Sequence, residues 1–202
     1  KANKFLLPYA NKVFVSYKQL EGIPKKYQDK VVEIGNLIRK EIINSSVANN
    51  EIDNFNKINI LVLGGSQAAQ VFANDLPQIF LKLQNSDFKI KVYQQCLKSQ
   101  TSYLSEFYKK YKIEHELFNF ADNILDYYSN INLVITRSGA SVLGELINLN
   151  IPFISVPLPT STDNHQYKNA EFYSKKGYGY LLEESEINNK LYNIISSILG
   201  KN

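Results

Sequence analysis

The sequence predicts an α/β fold, a parallel sheet with helices packed on both faces. Three observations carry this. From Lys57 onward, short Val/Ile/Leu-rich runs and helical patterns alternate about six times with short connections. The strand runs are apolar throughout rather than on alternate residues, as strands covered on both faces are. The polar motifs fall at the carboxyl ends of these runs, at the sheet edge where open α/β sheets bind their ligands.

Ahead of that alternation, "NKVFVSY" (Asn11–Tyr17) and "KVVEIGN" (Lys30–Asn36) read as short strands, and "LIRKEIINS" as a helix start behind a Gly35-Asn36 turn. Ser45–Asn56 is polar and patternless, a loop or linker. "INILVLGG" is the first buried strand, with a helix from about Ser66 to Leu83. "KIKVYQQC" is followed by a helix near Thr101–Tyr111, and "KIEHELF" by a short helix near Asp122–Tyr128. "NLVITR" leads into a helix over Ser138–Leu149. "PFISVP" leads into a helix over Asp163–Lys176, closed by Gly177. "YGYLLEE" is a last short strand before the helix Ile187–Leu199. The order is that of a Rossmann-like sheet.

Composition excludes several classes of function. No apolar run approaches the roughly 20 residues that span a bilayer. The lone Cys96 excludes an internal disulfide and fits a reducing compartment. No Cys/His/Asp group has metal-ligand spacing, and no Ser/His/Asp set follows a nucleophile elbow. The aromatic residues lack the basic–aromatic stripe of single-strand binders. Neither a metal, a cofactor nor a nucleic-acid partner is therefore expected. The net charge of +4 is concentrated in residues 1–40, with nine Lys/Arg against three acids. That is either a solvated Lys-rich surface or a patch that meets anionic lipid or phosphate. Only Arg39 and Arg137 are arginine, and lysine cannot reproduce the planar guanidinium fork. The chain starts at Lys1 and has no methionine, so a longer protein is expected, with a partner domain outside these residues.

Four motifs fall at strand ends. In "LVLGGSQAAQ" (Leu61–Gln70), two glycines allow a sharp turn, Ser66 caps the helix and Gln67 adds an amide. A helix start of this kind binds phosphate, although a plain capped turn has the same residues. The third glycine of the dinucleotide fingerprint is absent, as is a Walker lysine. In "TRSGASVLGEL" (Thr136–Leu146), Ser138 and Gly139 repeat the device, and two adjacent helix starts suit a diphosphate. Glu145 lies about two turns further on, where a carboxylate accepts from a ribose diol; the alternatives are a solvated Glu145 and an ion-paired Arg137. In "STDNHQYKNA" (Ser161–Ala170), Asp163 or Asn164 caps a helix whose first turn carries His165 and Gln166, polar groups suited to sugar hydroxyls. His115 lies within a strand and is structural. In "VEIGNLIR" (Val32–Arg39), a cation in a first helical turn opposes the helix dipole, so a nearby anion is expected to compensate.

Taken in order, "EIGNLIR", "LVLGGSQ", "FADNILDYYSNINLVITRSGASVLGEL" and "PFISVPLPTSTDNHQYKNA" resemble the MurG family of glycosyltransferases, over roughly Val31–Gly177. The resemblance implies one half of a two-domain GT-B fold. Residues 1–30 would be the remnant of an amino-terminal acceptor domain with its connection, and residues 31–202 a UDP-sugar donor domain. It implies inverting transfer of N-acetylglucosamine from UDP-N-acetylglucosamine to lipid I (undecaprenyl-pyrophosphoryl-MurNAc-pentapeptide), giving lipid II. The site would be peripheral, on the cytoplasmic face of the bacterial membrane.

By the same resemblance, Ser66 and Gln67 would meet the diphosphate and the backbone at Phe120-Ala121 the uracil. Glu145 would hold the ribose, His165 and Gln166 would face the sugar, and Arg39 would lie near the nucleotide. The catalytic groups are expected in the amino-terminal domain, so this chain is expected to bind donor and transfer nothing. The alternative is the nucleotide-sugar subunit of a split glycosyltransferase with a separate membrane partner. Leu37 replaces the family's usual proline, Ala68 its usual glycine, and His165 a glutamine of some members.

Overall fold

In a computed structural model, residues 5–16, 23–45, 57–65 and 70–200 are described. The loop read at Ser45–Asn56 lies almost wholly outside them, as do Ser66, Gln67 and Ala68.

The alternation seen in the sequence becomes one six-stranded sheet, all of its pairings parallel. Its strands are β3 (Ile58–Leu63), β4 (Ile90–Gln95), β5 (Glu114–Phe118), β6 (Leu133–Thr136), β7 (Phe153–Ser155) and β8 (Tyr180–Leu181). Their spatial order is β5-β4-β3-β6-β7-β8. Two shorter strands, β1 (Val13–Val15) and β2 (Val31–Glu33), form a separate parallel pair. Lys30 ties that pair to the preceding segment, donating to the carbonyls of Leu7, Pro8 and Ala10 at 3.4, 3.2 and 2.7 Å. Phe5, Leu6, Tyr9 and Phe14 stand exposed beside it.

The helices are α1 (Lys40–Ile43), α2 (Gln70–Asn85), α3 (Lys98–Lys110), α4 (Leu125–Tyr128), α5 (Ala140–Asn148), α6 (His165–Lys175) and α7 (Ile187–Ile198). Successive side chains on a strand point to opposite faces, which sorts the apolar runs into two layers. Ile60 and Val62 join Phe72, Leu76 and Phe80 of α2, Leu104 of α3 and Leu191 of α7. Leu61 and Val134 turn the other way, toward Tyr128, Leu143 and Leu146 of α4 and α5 and Tyr173 of α6. Burying one such Leu, Ile or Phe side chain stabilises the fold by about 1.5–3 kcal/mol. The central strands β6 and β7 are buried at every residue, whereas β4 alternates buried and half-buried positions and the edge strand β5 carries Glu114, His115 and Glu116, so the expectation of runs apolar throughout holds for the middle of the sheet and not for that edge.

Helix α1 is one turn long, and Arg39 is its cap residue rather than part of its first turn. Asp163 and Asn164 precede α6 with φ of 52° and 55°, and neither makes the side-chain capping bond expected of it. Both sit in the left-handed region, which Asp and Asn tolerate better than most residues. They work here as a sharp bend that aims the start of α6 at the sheet edge. His115 lies in β5 as expected, its Nδ1 2.9 Å from the Ile113 carbonyl and its ring against Tyr108.

Gly179, just before β8, shows how tightly the β7–β8 edge is packed. A Cβ there would lie 2.4 Å from Cε2 of the buried Phe153 ring. Gly179→Ala is expected to destabilise the chain by about 1–3 kcal/mol through overpacking, read as a lower midpoint in denaturant unfolding with an unchanged slope.

Candidate functional site

The strand order is that of a doubly wound sheet, in which the chain winds one way from β3 and the other way from β6. The connections leave those two ends in opposite directions, so a crevice opens between them. A cleft of about 310 Å³ lies there. Its walls come from the ends of three strands and the helices that follow: Leu63 and Gly65 after β3, Gln95 at the end of β4, and Arg137, Gly139 and Glu145 after β6. Gly65 has φ +76°, the left-handed turn for which the sequence placed a glycine there.

Glu145 is the centre of the site's electrostatics. It is buried, which excludes the solvated-helix alternative. Arg39 grips it with both arms of its fork, Nε to Oε1 at 2.9 Å and Nη2 to Oε2 at 3.0 Å. The Tyr128 hydroxyl donates to Oε2 at 3.3 Å. The hydrogen bond to Glu145 raises the Arg39 pKa further above its already high value. Burial, and then the neighbouring carboxylate, push the Tyr128 phenol far up, so it remains a donor. The anion that Arg39 requires is thus Glu145 itself.

Asn36 holds this arrangement in place. Its Nδ2 donates to the Tyr173 hydroxyl at 2.6 Å and to the Ala140 carbonyl at 3.2 Å. The side chain lies against Gly144, where a Cβ would come within 2.7 Å of that nitrogen. The Gly-Asn turn therefore docks on α5 and delivers Arg39 to Glu145.

The second arginine has a different role. Arg137 is buried and donates through Nη1 to the carbonyls of Val156 and Pro157 at 3.2 and 3.1 Å. Its Nη2 pairs with Glu184 at 2.6 Å, and its guanidinium stacks on Phe72. The ion-pair alternative is the one realised, and Arg137 braces the segment after β7.

The other candidates divide between the cleft and its surroundings. Ser138 is fully buried with its hydroxyl enclosed and unpartnered. Gly139 caps α5 and turns its own N–H back to the Arg137 carbonyl at 3.0 Å. The first turn of α5 then contributes N–H groups without intrahelical acceptors. Gln166 lines the cleft, its Oε1 accepting from the Leu158 N–H at 2.9 Å, which leaves Nε2 as its free donor end. His165 is exposed beside the cleft rather than in its wall. Its Nδ1 lies 2.8 Å from the Thr162 carbonyl, which can only accept, so Nδ1 is the donor of that hydrogen bond. Phe120 is exposed and Ala121 half-buried, on the loop after β5 and outside the cleft wall. Ser66 and Gln67 lie outside the described residues. Among the described residues no group of three or more His, Cys, Asp or Glu could hold a metal ion. None of their helices is long and apolar enough to cross a membrane.

Sequence reasoning missed Tyr128, Asn36 and Gly144. The adjacent pair Tyr127-Tyr128 carries no periodic signal that distinguishes a buried donor from a surface ring. The contact of Asn36 with Gly144 joins residues more than one hundred apart in the chain.

A parallel doubly wound sheet with a crevice at its switch point is a Rossmann-like architecture, the kind of layer that makes up one half of a GT-B fold. Comparison with known proteins makes the class specific. Residues 59–202 match the profile of the glycosyltransferase family 28 C-terminal domain, and the chain belongs to that family. It is 37% identical over 98% of its length to the UDP-N-acetylglucosamine–N-acetylmuramyl-(pentapeptide) pyrophosphoryl-undecaprenol N-acetylglucosamine transferase of Pelagibacter ubique, covering 56% of that protein. It is 35% identical to the protein of the same name from Rickettsia canadensis, covering 98% of this chain and 57% of that protein. The chain thus spans little more than half the length of these relatives. The crystal structure of Acinetobacter baumannii MurG superposes with a TM-score of 0.75 at 22% identity, over 100% of this chain and 57% of that one, and shares the fold.

If Arg137 is a brace, its removal should reduce stability. Arg137→Ala is expected to lower it by about 2–4 kcal/mol, since it strips two buried carbonyls of their donor and Glu184 of its ion-pair partner. Chemical denaturation measures this, and unchanged stability would refute the structural role.

Proposed function

We propose that this chain is the donor half of an inverting N-acetylglucosaminyltransferase, seating UDP-N-acetylglucosamine for transfer to lipid I at the cytoplasmic face of the membrane. The observation that carries the proposal is the cleft at the β3/β6 switch point, with the Glu145 carboxylate beside the first turn of α5. A ribose diol needs a carboxylate and a diphosphate needs free N–H groups; Glu145 lies about one helical turn beyond the first-turn N–H groups of Ala140 to Val142. The activity for which these relatives are named, with similarity along nearly all of this chain, supports the choice of sugar and acceptor.

Residues 1–30 would belong to the acceptor half and residues 31–202 to the donor half. The exposed Phe5, Leu6, Tyr9 and Phe14 beside the β1–β2 pair fit a surface covered by that half. The diphosphate would lie between the start of α5 and the turn at Gly65, with Ser66 and Gln67 beside it. The uracil would rest on the backbone at Phe120-Ala121, and the sugar near Gln166 and His165. Chemistry would be direct displacement at the anomeric carbon, the helix N-terminal donors stabilising charge on the departing diphosphate. The base that activates the acceptor hydroxyl would come from the other half.

Calorimetric titration with UDP-N-acetylglucosamine, its N-acetylgalactosamine epimer and an ADP-sugar tests this, with the first expected to bind tightest. Glu145→Ala should weaken uridine-nucleotide binding by about 1.5–3 kcal/mol, the scale of a hydrogen bond to a charged group. An unchanged affinity would remove Glu145 from the ribose role.

A further inference from the structure

We infer that Arg39 is a latch on Glu145 that the ribose diol displaces when nucleotide enters; the inference rests on the ribose role proposed for Glu145. It follows from counting hydrogen bonds. An ionised carboxylate offers about four lone-pair positions. Among the described residues three donors reach Glu145: Arg39 Nε on Oε1, and Arg39 Nη2 and the Tyr128 hydroxyl on Oε2. One position remains, on Oε1. A cis-diol brings two donors and needs two acceptors. Seating it therefore requires one of the present donors to leave.

Burial decides which donor moves. The Tyr128 side chain is enclosed, 1% exposed, in the layer formed by α4 and α5. Arg39 reaches in from outside the sheet, and its side chain is 55% exposed against 9% for Glu145. Its backbone belongs to the docked Gly-Asn segment and the one-turn helix α1, while its guanidinium rides on a flexible stem. Rotation of that stem releases both oxygens at once without moving the backbone. The released cation stays beside the cleft while an anionic ligand enters. A single-hydroxyl sugar, such as the 2′-deoxyribose of a uridine nucleotide analogue, needs only the one vacant position and leaves the latch shut. Arg39 is thus a positioning residue that acts on the ligand through Glu145, and it ties opening of the site to the presence of a complete diol.

The composition of the chain makes this directly observable, because Arg39 and Arg137 are its only arginines. A proton–nitrogen correlation spectrum of the 202-residue chain labelled with ¹⁵N at arginine contains at most two side-chain Nε–H signals, and Arg39→Lys assigns them by deleting one. Saturation with UDP is expected to shift or broaden the Arg39 signal away from its ion-paired position. Saturation with 2′-deoxy-UDP should leave it in place. In parallel, Arg39→Ala, which opens the latch permanently, should raise the affinity ratio of UDP to 2′-deoxy-UDP about tenfold, the scale of one charged hydrogen bond. If, in a uniformly ¹⁵N-labelled sample, UDP shifts backbone amides around Gly139 and Glu145 while the Arg39 Nε–H signal stays put, the latch is refuted and the nucleotide site stands. A fall in the affinity ratio in Arg39→Ala would likewise overturn it, since Arg39 would then support the diol contact. If UDP moves no signal at all, the nucleotide reading itself fails and the latch with it.

Discussion

Backbone polar groups in a sheet buried on both faces are consumed by the ladder, and its side chains by the two apolar layers. Polar chemistry in such a fold is confined to the ends of the strands. At the β3/β6 switch point the following connections part and leave a crevice. The burial of Ile60, Leu61, Val62 and Leu133 to Ile135 and the concentration of Gly65, Gly139, Glu145 and Gln166 beyond them are two sides of one constraint.

Within that crevice the governing interaction is the bidentate pair between Arg39 and Glu145. A partly buried carboxylate facing a cleft is unfavourable without a partner, and a planar fork satisfies both of its oxygens as a lysine could not. In a chain whose cations are almost all lysine, the two arginines occupy the two places where a fork is used. Arg39 serves the site, and Arg137 serves the framework by clamping Val156, Pro157 and Glu184 beneath it. The same residue type at two strand ends has separate functions because one guanidinium is open to solvent and the other is enclosed.

The Gly-Asn segment links the small β1–β2 pair to the six-stranded sheet. Asn36 is wedged between Gly144, Ala140 and Tyr173, so the position of Arg39 depends on a glycine within α5 as much as on the residues around Arg39 itself. Gly144 weakens a helix interior by its lack of a side chain, and here that lack is the space in which Asn36 sits. The departure of Leu37 from the proline usual in the resembling family leaves an exposed side chain just before α1.

The strand–helix alternation, the apolar strands, the glycine turns and the family were legible in the amino-acid order, because periodicity and turn chemistry are local properties. Counting turns from Ser138 also singles out Glu145 as a candidate, although its ribose role is a proposal. The tertiary structure decided which partners these groups have. It made Arg39 the counterion of Glu145, enclosed the Ser138 hydroxyl, turned Arg137 into a brace, set His165 outside the cleft wall and brought Tyr128 to the carboxylate. Each of those outcomes joins residues from different elements across the sheet edge. No local pattern encodes such a pairing, because its energy comes from burial and from lone pairs that must be satisfied only once the chain has closed on itself.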